Sequence, residues 1–137
     1  MNLTRLLLAA LGAFVMYFAI GGIAFTAGPL RAEFAKYPAV YRSQESMKTV
    51  VPAGMLSMFL AMVVLSVLFA MMYPAGTGIA GGARFGALIG VFAICAFVIH
   101  NHVNLNIGLR LTIGQAIAYF VEWIAVGIVI GVIYRPQ

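Results

Sequence analysis

Acidic residues are scarce in this chain of 137 residues, which holds three Asp and Glu side chains in total against eight Lys and Arg. Charged residues make up 8% of the sequence, whereas 64% of it is hydrophobic, and the mean hydropathy is +1.08. A soluble domain carries about 25% charged residues, so this composition excludes a water-soluble protein. The chain is therefore predicted to be an integral membrane protein.

Other features that define familiar classes of protein are also missing. The chain has one cysteine, Cys95, so no internal disulfide can form. Its basic residues are scattered singly and form no patch, which excludes nucleic acid as a partner and favours anionic lipid headgroups. The apolar stretches lack the alternation of apolar and polar residues that a membrane barrel requires. An all-α protein in contact with the lipid bilayer remains.

Four apolar stretches are long enough to cross a bilayer, which takes about 20 residues. They run from Leu6 to Ala27, from Val50 to Tyr73, from Arg84 to Asn104 and from Leu109 to Tyr134. The first stretch is too long for the apolar core of a signal peptide, and Phe25-Thr26-Ala27 makes a poor cleavage site. We therefore predict one multi-pass domain over residues 1–137, an integral membrane four-helix bundle.

The connection between the first two stretches carries apolar residues at helical spacing, with charged residues between them. The apolar residues are Leu30, Phe34, Tyr37 and Tyr41, and the charged ones are Arg31, Glu33, Lys36 and Arg42. This pattern predicts a short interfacial amphipathic helix. Pro29 suits its start, whereas Pro38 should interrupt it. Two interpretations stay open: an apolar face resting among the headgroups, or a gate or platform for a partner.

The distribution of basic residues favours one orientation in the membrane. Four spans place both termini and the connection from Pro74 to Gly82 on one side, with the first connection and the turn near Gly108 on the other. The side of the first connection carries Arg31, Lys36, Arg42, Lys48 and Arg110, and the terminal side carries Arg5, Arg84 and Arg135. The positive-inside rule therefore favours a cytoplasmic first connection.

Glycines recur every four positions in the third and fourth stretches. They are Gly82, Gly86 and Gly90 in the third stretch and Gly127 and Gly131 in the fourth. Such stripes let another helix approach closely, either inside the monomer or from a second copy. Four short helices enclose little volume, so we expect a homo-oligomer or a membrane-protein partner. At 100° per residue the first stripe continues to His100 and Asn104, so His100 should point at protein.

Glu122 lies near the middle of the fourth stretch, where an ionisable group is expensive. Burial disfavours its charged form, and Arg110 and Arg135 lie roughly 18 to 20 Å away along the helix. Tyr119 and Gln115 share its helix face and are the nearest hydrogen-bond donors in sequence. Glu122 is then either a site for a proton or ligand, or a neutral residue that hydrogen-bonds two helices together.

The run from His100 to Asn106 is the most polar part of the chain. On a helix His100 and His102 diverge by about 200° and cannot share one metal ion, so we predict no metal site. Helix capping closed by Gly108 explains the asparagines. His100 could still serve alone as an axial haem ligand, or relay protons to Glu122. We include His100 and Asn104 among the candidate ligand- or proton-binding residues.

The layout resembles small four-span bacterial inner-membrane protein families of unknown function. The likeness rests on the basic amphipathic stretch after the first span, the glycines from Gly82 to Gly90, the asparagine-rich turn and the ending Gly127-Ile-Val-Ile-Gly131. It implies a four-span fold and the bacterial inner (cytoplasmic) membrane, and it brings no activity with it.

Two better-understood groups share the four-span design. Small multidrug-resistance transporters resemble this chain in their four short spans and membrane carboxylate, but theirs lies in the first helix, where this chain has no acidic residue. The membrane-bound glutathione and eicosanoid enzymes have an arginine, asparagine and glutamate motif that is absent from Arg31 to Lys48. We therefore expect no catalytic residues and no enzyme of that type.

Two hypotheses for function follow. The first is a binding or transport module for a proton, a cation or a small ligand, centred on the intramembrane carboxylate of Glu122. The second is a non-catalytic accessory or assembly subunit that docks to another membrane protein through its glycine-rich helix faces.

Overall fold

The computed structural model describes residues 2–73 and 77–134, apart from the side chain of Gln44, and this part of the chain is helical without strands. Four of its helical stretches are long and apolar enough to cross a membrane. The predicted fold class is confirmed, because the protein is an all-α, integral membrane four-helix bundle. Residues 74–76 and Arg135, which entered the sequence argument on orientation, lie outside the described residues.

The described residues form six α-helices and two π-helical segments. They are α1 (Leu3–Gly21) with the first π segment (Gly22–Ala27), α2 (Leu30–Phe34), α3 (Gln44–Met72), α4 (Gly78–Ala93) with the second π segment (Ile94–Ile99), α5 (His100–Asn104) and α6 (Leu109–Ile133). The helix predicted in the first connection is α2, which is shorter than expected because it ends at Phe34, before Tyr37 and Pro38. The four spans consist of α1 with the first π segment, α3, α4 through α5, and α6.

Capping residues explain where two helices begin. The Asn2 side chain accepts a hydrogen bond of 3.1 Å from the backbone N–H of Arg5, and the Ser43 hydroxyl accepts one of 3.3 Å from that of Ser46. Such caps satisfy backbone donors that a helix start leaves unpaired. Because Ser43 caps α3, this helix begins before the apolar stretch that starts at Val50.

The helix pairs follow the order α4, α6, α1, α3, in which each helix packs on the next. At the end of the bundle where α1 begins and α6 ends, side chains of all four spans form one apolar cluster. Its members include Leu6, Phe69, Phe85, Ile130 and Tyr134. The Phe69 ring joins α3 to α4 there, with 5.4 Å between its centroid and that of Phe85.

Towards its N-terminal end α3 leaves the other helices. The side chains from Met47 to Ser57 are all exposed, whereas Met62 and Ser66 farther along are fully buried. This first half of α3 has the apolar surface of a lipid-facing helix. The end of α1 therefore has no α3 wall beside it.

Glycines bring α4 and α6 into backbone contact. A Cβ added to Gly86 would meet the Trp123 carbonyl and lie 2.8 Å from Cα of Ile124, and one added to Gly127 would lie 2.6 Å from Cα of Gly86. Gly82 and Gly131 also face each other across this contact. The two glycine stripes thus pack together inside the monomer, which was one of the two arrangements that the sequence left open.

The first connection packs on the turn between α5 and α6. The Gly108 N–H donates a hydrogen bond of 2.9 Å to the Tyr37 hydroxyl. Glu33 forms ion pairs with Lys36 at 2.7 Å and with Arg110 at 3.3 Å. Leu30 is buried beneath with Ile107 and Leu111. The two connections therefore lie at the same end of the bundle, as four alternating spans require.

Candidate functional site

Glu122 is fully buried inside the protein, with 0% of its surface exposed. Neither carboxyl oxygen has a hydrogen-bond partner among the described residues. The side chain reaches α1 at Gly21, where an added Cβ would lie 2.8 Å from Oε1 of Glu122. A larger residue at this position would have to displace the carboxyl group, so the glycine provides the room that Glu122 occupies.

The helix beside Glu122 changes its geometry at this point. The first π segment begins at Gly22, directly after the residue that contacts Glu122. Within it the Thr26 hydroxyl donates a hydrogen bond of 2.5 Å to the Gly22 carbonyl. In a regular α-helix this carbonyl would accept a hydrogen bond from the backbone N–H of Thr26. Single π turns inside α-helices occur frequently at functional sites. The backbone irregularity and the buried carboxyl group therefore coincide.

A pocket of about 240 Å³ lies between α1, the first π segment and α6. Its lining residues are Tyr17, Phe18, Gly21, Gly22, Phe25, Thr26, Tyr119 and Glu122. Its rings contact one another, since 5.4 Å separates the centroids of Phe25 and Tyr119 and 5.5 Å those of Tyr17 and Phe18. The pocket is thus a mainly aromatic chamber with one carboxyl group.

No cationic side chain balances an ionised Glu122 within the pocket, because none of its eight lining residues is Lys, Arg or His. The titratable neighbours of Glu122 are Tyr17 on α1 and Tyr119 on its own helix, whose hydroxyls also interact with each other. A buried polar group without partners costs roughly 1 to 3 kcal/mol, and more if it is charged. Such an orphan in a native structure requires an explanation.

Neither Tyr119 nor Gln115 donates a hydrogen bond to Glu122, so the expectation that they serve as its donors is wrong. Tyr119 lines the pocket with Glu122, whereas Gln115 does not. Gln115 is buried about two helical turns nearer to the first connection, where its side chain interacts with the Tyr41 hydroxyl. Burial raises the pKa of Tyr41, and the hydrogen bond with Gln115 acts in the opposite direction. Seven residues of helix, about 10 Å, separate Gln115 from Glu122. Gln115 therefore lies next to the first connection.

His100 is exposed, and the prediction that it points at protein is wrong. The second π segment precedes His100 and changes the number of residues per turn, so the glycine stripe of α4 no longer continues to it. Asn104 is exposed as well. The proposals of a haem ligand or a proton relay at His100 stay predictions.

His102 takes the inward place instead. Its Nδ1 lies 2.9 Å from the Thr112 hydroxyl, whose oxygen is also 3.3 Å from the Gly108 carbonyl that it donates to. A hydroxyl has one proton to donate, so both hydrogen bonds form together only if Nδ1 of His102 carries a proton.

Among the described residues no three His, Cys, Asp or Glu side chains converge to form a possible metal site.

Of the five residues singled out as a possible ligand or proton site, the pocket brings together Glu122 and Tyr119. Gln115 lies at the first connection, and His100 and Asn104 lie outside. Sequence reasoning missed the α1 side of the site. The Gly21-Gly22 pair before Phe25 was the available signal, because adjacent glycines inside a span mark a place where the backbone is irregular or closely approached.

No family model, curated protein or solved structure matches this chain. The chemistry must therefore be read from the pocket itself. One carboxyl group in a mainly aromatic surrounding can hold a proton when neutral, or a single positive charge when ionised.

Proposed function

We propose that this membrane protein is a binding or transport module whose working group is Glu122, which exchanges a proton for a cation or small ligand. The observation that carries the proposal is a fully buried carboxyl group without a hydrogen-bond partner among the described residues, placed at the wall of a pocket. A carboxyl group that served only to join two helices would form hydrogen bonds across their contact. Glu122 meets α1 at a glycine instead.

The glycine contact argues against the alternative of an accessory subunit that docks through its glycine faces. Gly86 and Gly127 are buried against each other's helices, so they are covered before any partner arrives. A partner would have to use other surfaces.

Three further proposals concern the membrane, the domain and the assembly of this multi-pass protein. We place the chain in the bacterial inner membrane, in keeping with the four-span families that it resembles. Residues 1–137 act as one domain. A homo-oligomer would supply the wider enclosed volume that transport needs, since the pocket of one chain has about 240 Å³.

Labelling with a hydrophobic carbodiimide tests whether Glu122 is a working group. A carbodiimide accepts the proton of a carboxyl group and the carboxylate then adds to its central carbon, so we expect Glu122 to react slowly in lipid nanodiscs and faster as the pH is lowered. Mass spectrometry of the peptide that contains Glu122 measures the rate. The groups that face Glu122 and could influence this dependence are Tyr17 from α1 and Tyr119 from α6.

Matched variants make the result specific. Glu122→Gln keeps the size of the side chain and should abolish the labelling, whereas Glu33→Gln removes a carboxylate at the first connection and should leave it unchanged. Complete resistance of Glu122 at every pH would mean that the site is sealed and would overturn the proposed function.

A further inference from the structure

The pocket around Glu122 identifies the class of ligand as well as its place. We infer that it binds a small organic ammonium ion, which is an amine or quaternary ammonium with apolar substituents. This inference rests on the proposed function of Glu122 and names the cation that replaces its proton. Its grounds are the missing counter-charge, the aromatic walls, the volume and the position of the opening.

The residues that line the pocket supply no positive charge to balance Glu122. Glu122 offers one negative charge when ionised, and no cationic side chain is among the residues that line the pocket. A ligand with one positive charge would neutralise it in surroundings of low dielectric constant, where an ion pair is strong. As the cation binds, the carboxyl proton leaves, so the charge inside the protein stays balanced.

The aromatic walls decide between a metal ion and an organic cation. Four of the eight lining residues are aromatic, namely Tyr17, Phe18, Phe25 and Tyr119. Hard metal ions take about six or more oxygen ligands, which ring faces do not supply. Ring faces do attract ammonium groups, and aromatic cages are a recurring way to recognise quaternary ammonium ligands.

The size of the chamber limits the substituents. Pockets for drug-sized ligands have volumes of about 300 to 1,000 Å³. The pocket at Glu122 has about 240 Å³, which is below that range. It therefore suits an ammonium ion with a few short carbon chains and excludes large polyaromatic cations.

The opening faces the membrane. Phe18, which lines the pocket, is 40% exposed, and Thr26 beside it is exposed as well. The first half of α3 lies away from this part of α1 and leaves the side of the bundle open. A ligand that arrives from the lipid phase must carry apolar groups, which agrees with the aromatic lining.

Protection against carbodiimide labelling tests the inference with tetraethylammonium as the probe. In nanodiscs, tetraethylammonium chloride should slow the labelling of Glu122 in a saturable manner. Sodium chloride at equal ionic strength and 3,3-diethylpentane, a neutral carbon compound of the same shape, should not. The concentration that halves the labelling rate is measured within each variant, so differences in the rate without ligand do not matter.

Ring variants test whether the walls hold the cation. Tyr119→Phe keeps the ring and should retain protection, whereas Tyr119→Leu and Phe25→Leu remove a ring and should raise the half-protecting concentration roughly tenfold. Phe92→Leu, an exposed phenylalanine of α4 outside the pocket, is the matched control and should behave as the unaltered chain.

The outcomes separate the two proposals. Labelling of Glu122 without protection by tetraethylammonium, or equal protection by the neutral compound, would overturn the inference and leave the proposed function standing. Equal protection in Tyr119→Phe and Tyr119→Leu would also overturn it, because the ring would then contribute nothing. If Glu122 cannot be labelled at any pH, the proposed function itself fails.

Discussion

At the scale of the residue, two of the three acidic side chains in the sequence have opposite surroundings. Glu122 is buried and has no partner among the described residues, whereas Glu33 contacts both Lys36 and Arg110 at the surface. The difference follows from position, because a cation can reach a carboxylate at the headgroups and cannot easily reach one at mid-span. Glu33 therefore joins the first connection to α6, whereas the proposed function rests on Glu122.

The pH dependence of stability should reveal the role of Glu33. The hydrogen bond from Lys36 lowers the pKa of Glu33 below its ordinary value of 4.5. A carboxyl group whose pKa is lowered by folding stabilises the folded state above its unfolded pKa, and this contribution is lost as the pH falls through the folded pKa. We expect Glu33→Gln to melt slightly below the unaltered chain at neutral pH.

The measurement is thermal unfolding of the detergent-solubilised protein, followed by circular dichroism. The gap in melting temperature between the two proteins should close once the pH is below the folded pKa of Glu33. Glu45→Gln is the control, since Glu45 is exposed and contributes to neither ion pair of Glu33. A gap that persists in acid would contradict the ion-pair explanation.

At the scale of the element, the spans could be predicted from the sequence and their irregularities could not. Hydropathy alone located the four stretches, because a helix in lipid must satisfy its own backbone and be apolar on its surface. The second π segment changes the backbone register of the helix. No pattern of side chains in the sequence predicted this change. For that reason the inward histidine is His102 and not His100.

Contacts between distant helices show the same limit. The glycine spacing indicated that α4 and α6 each had a face for close packing, but not that the two faces would meet. The contact between Glu122 and Gly21 could not be predicted either, because nothing in the sequence links these two residues. Periodicity gives the faces of a helix and leaves the choice of neighbour to the packing of the whole bundle.

Adding one methyl group to the α4–α6 contact should destabilise the bundle. The Cβ of Gly86→Ala would meet backbone atoms of α6, which cannot rotate away as a side chain could. Overpacking of this kind typically costs about 1 to 3 kcal/mol. Titration with sodium dodecyl sulfate in mixed micelles, followed by circular dichroism, measures the change in the free energy of unfolding.

Gly54→Ala is the matched control for this prediction. Gly54 also lies inside a spanning helix, but an added Cβ would find nothing within 4 Å. Alanine has a higher helix propensity than glycine, so the substitution should leave stability unchanged or raise it. Equal losses in Gly86→Ala and Gly54→Ala would show that the α4–α6 contact is not the reason.

At the scale of the whole molecule, contacts between the first connection and the α5–α6 turn define one end of the bundle. Tyr37 and Gly108 are hydrogen-bonded there, and Glu33 is paired with Arg110. This end carries the larger number of basic residues. The positive-inside rule then favours its placement in the cytoplasm.

Single cysteines should report this orientation. In a Cys95→Ala background, Ala39→Cys and Asn106→Cys mark the end with the first connection, and Thr77→Cys marks the opposite end. All three positions are exposed. In intact cells a membrane-impermeant maleimide should label Thr77→Cys alone, and after permeabilisation it should label all three. Labelling of Ala39→Cys in intact cells with none of Thr77→Cys would reverse the orientation.

The backbone contact of α4 with α6 also determines which parts of the molecule can move relative to each other. With glycines on both sides there is no layer of side chains between the two helices to slide or repack. We therefore expect α4 and α6, with Glu122, to move as one unit. A widening of the pocket would then separate α1 from α6, next to the π segment that begins at Gly22.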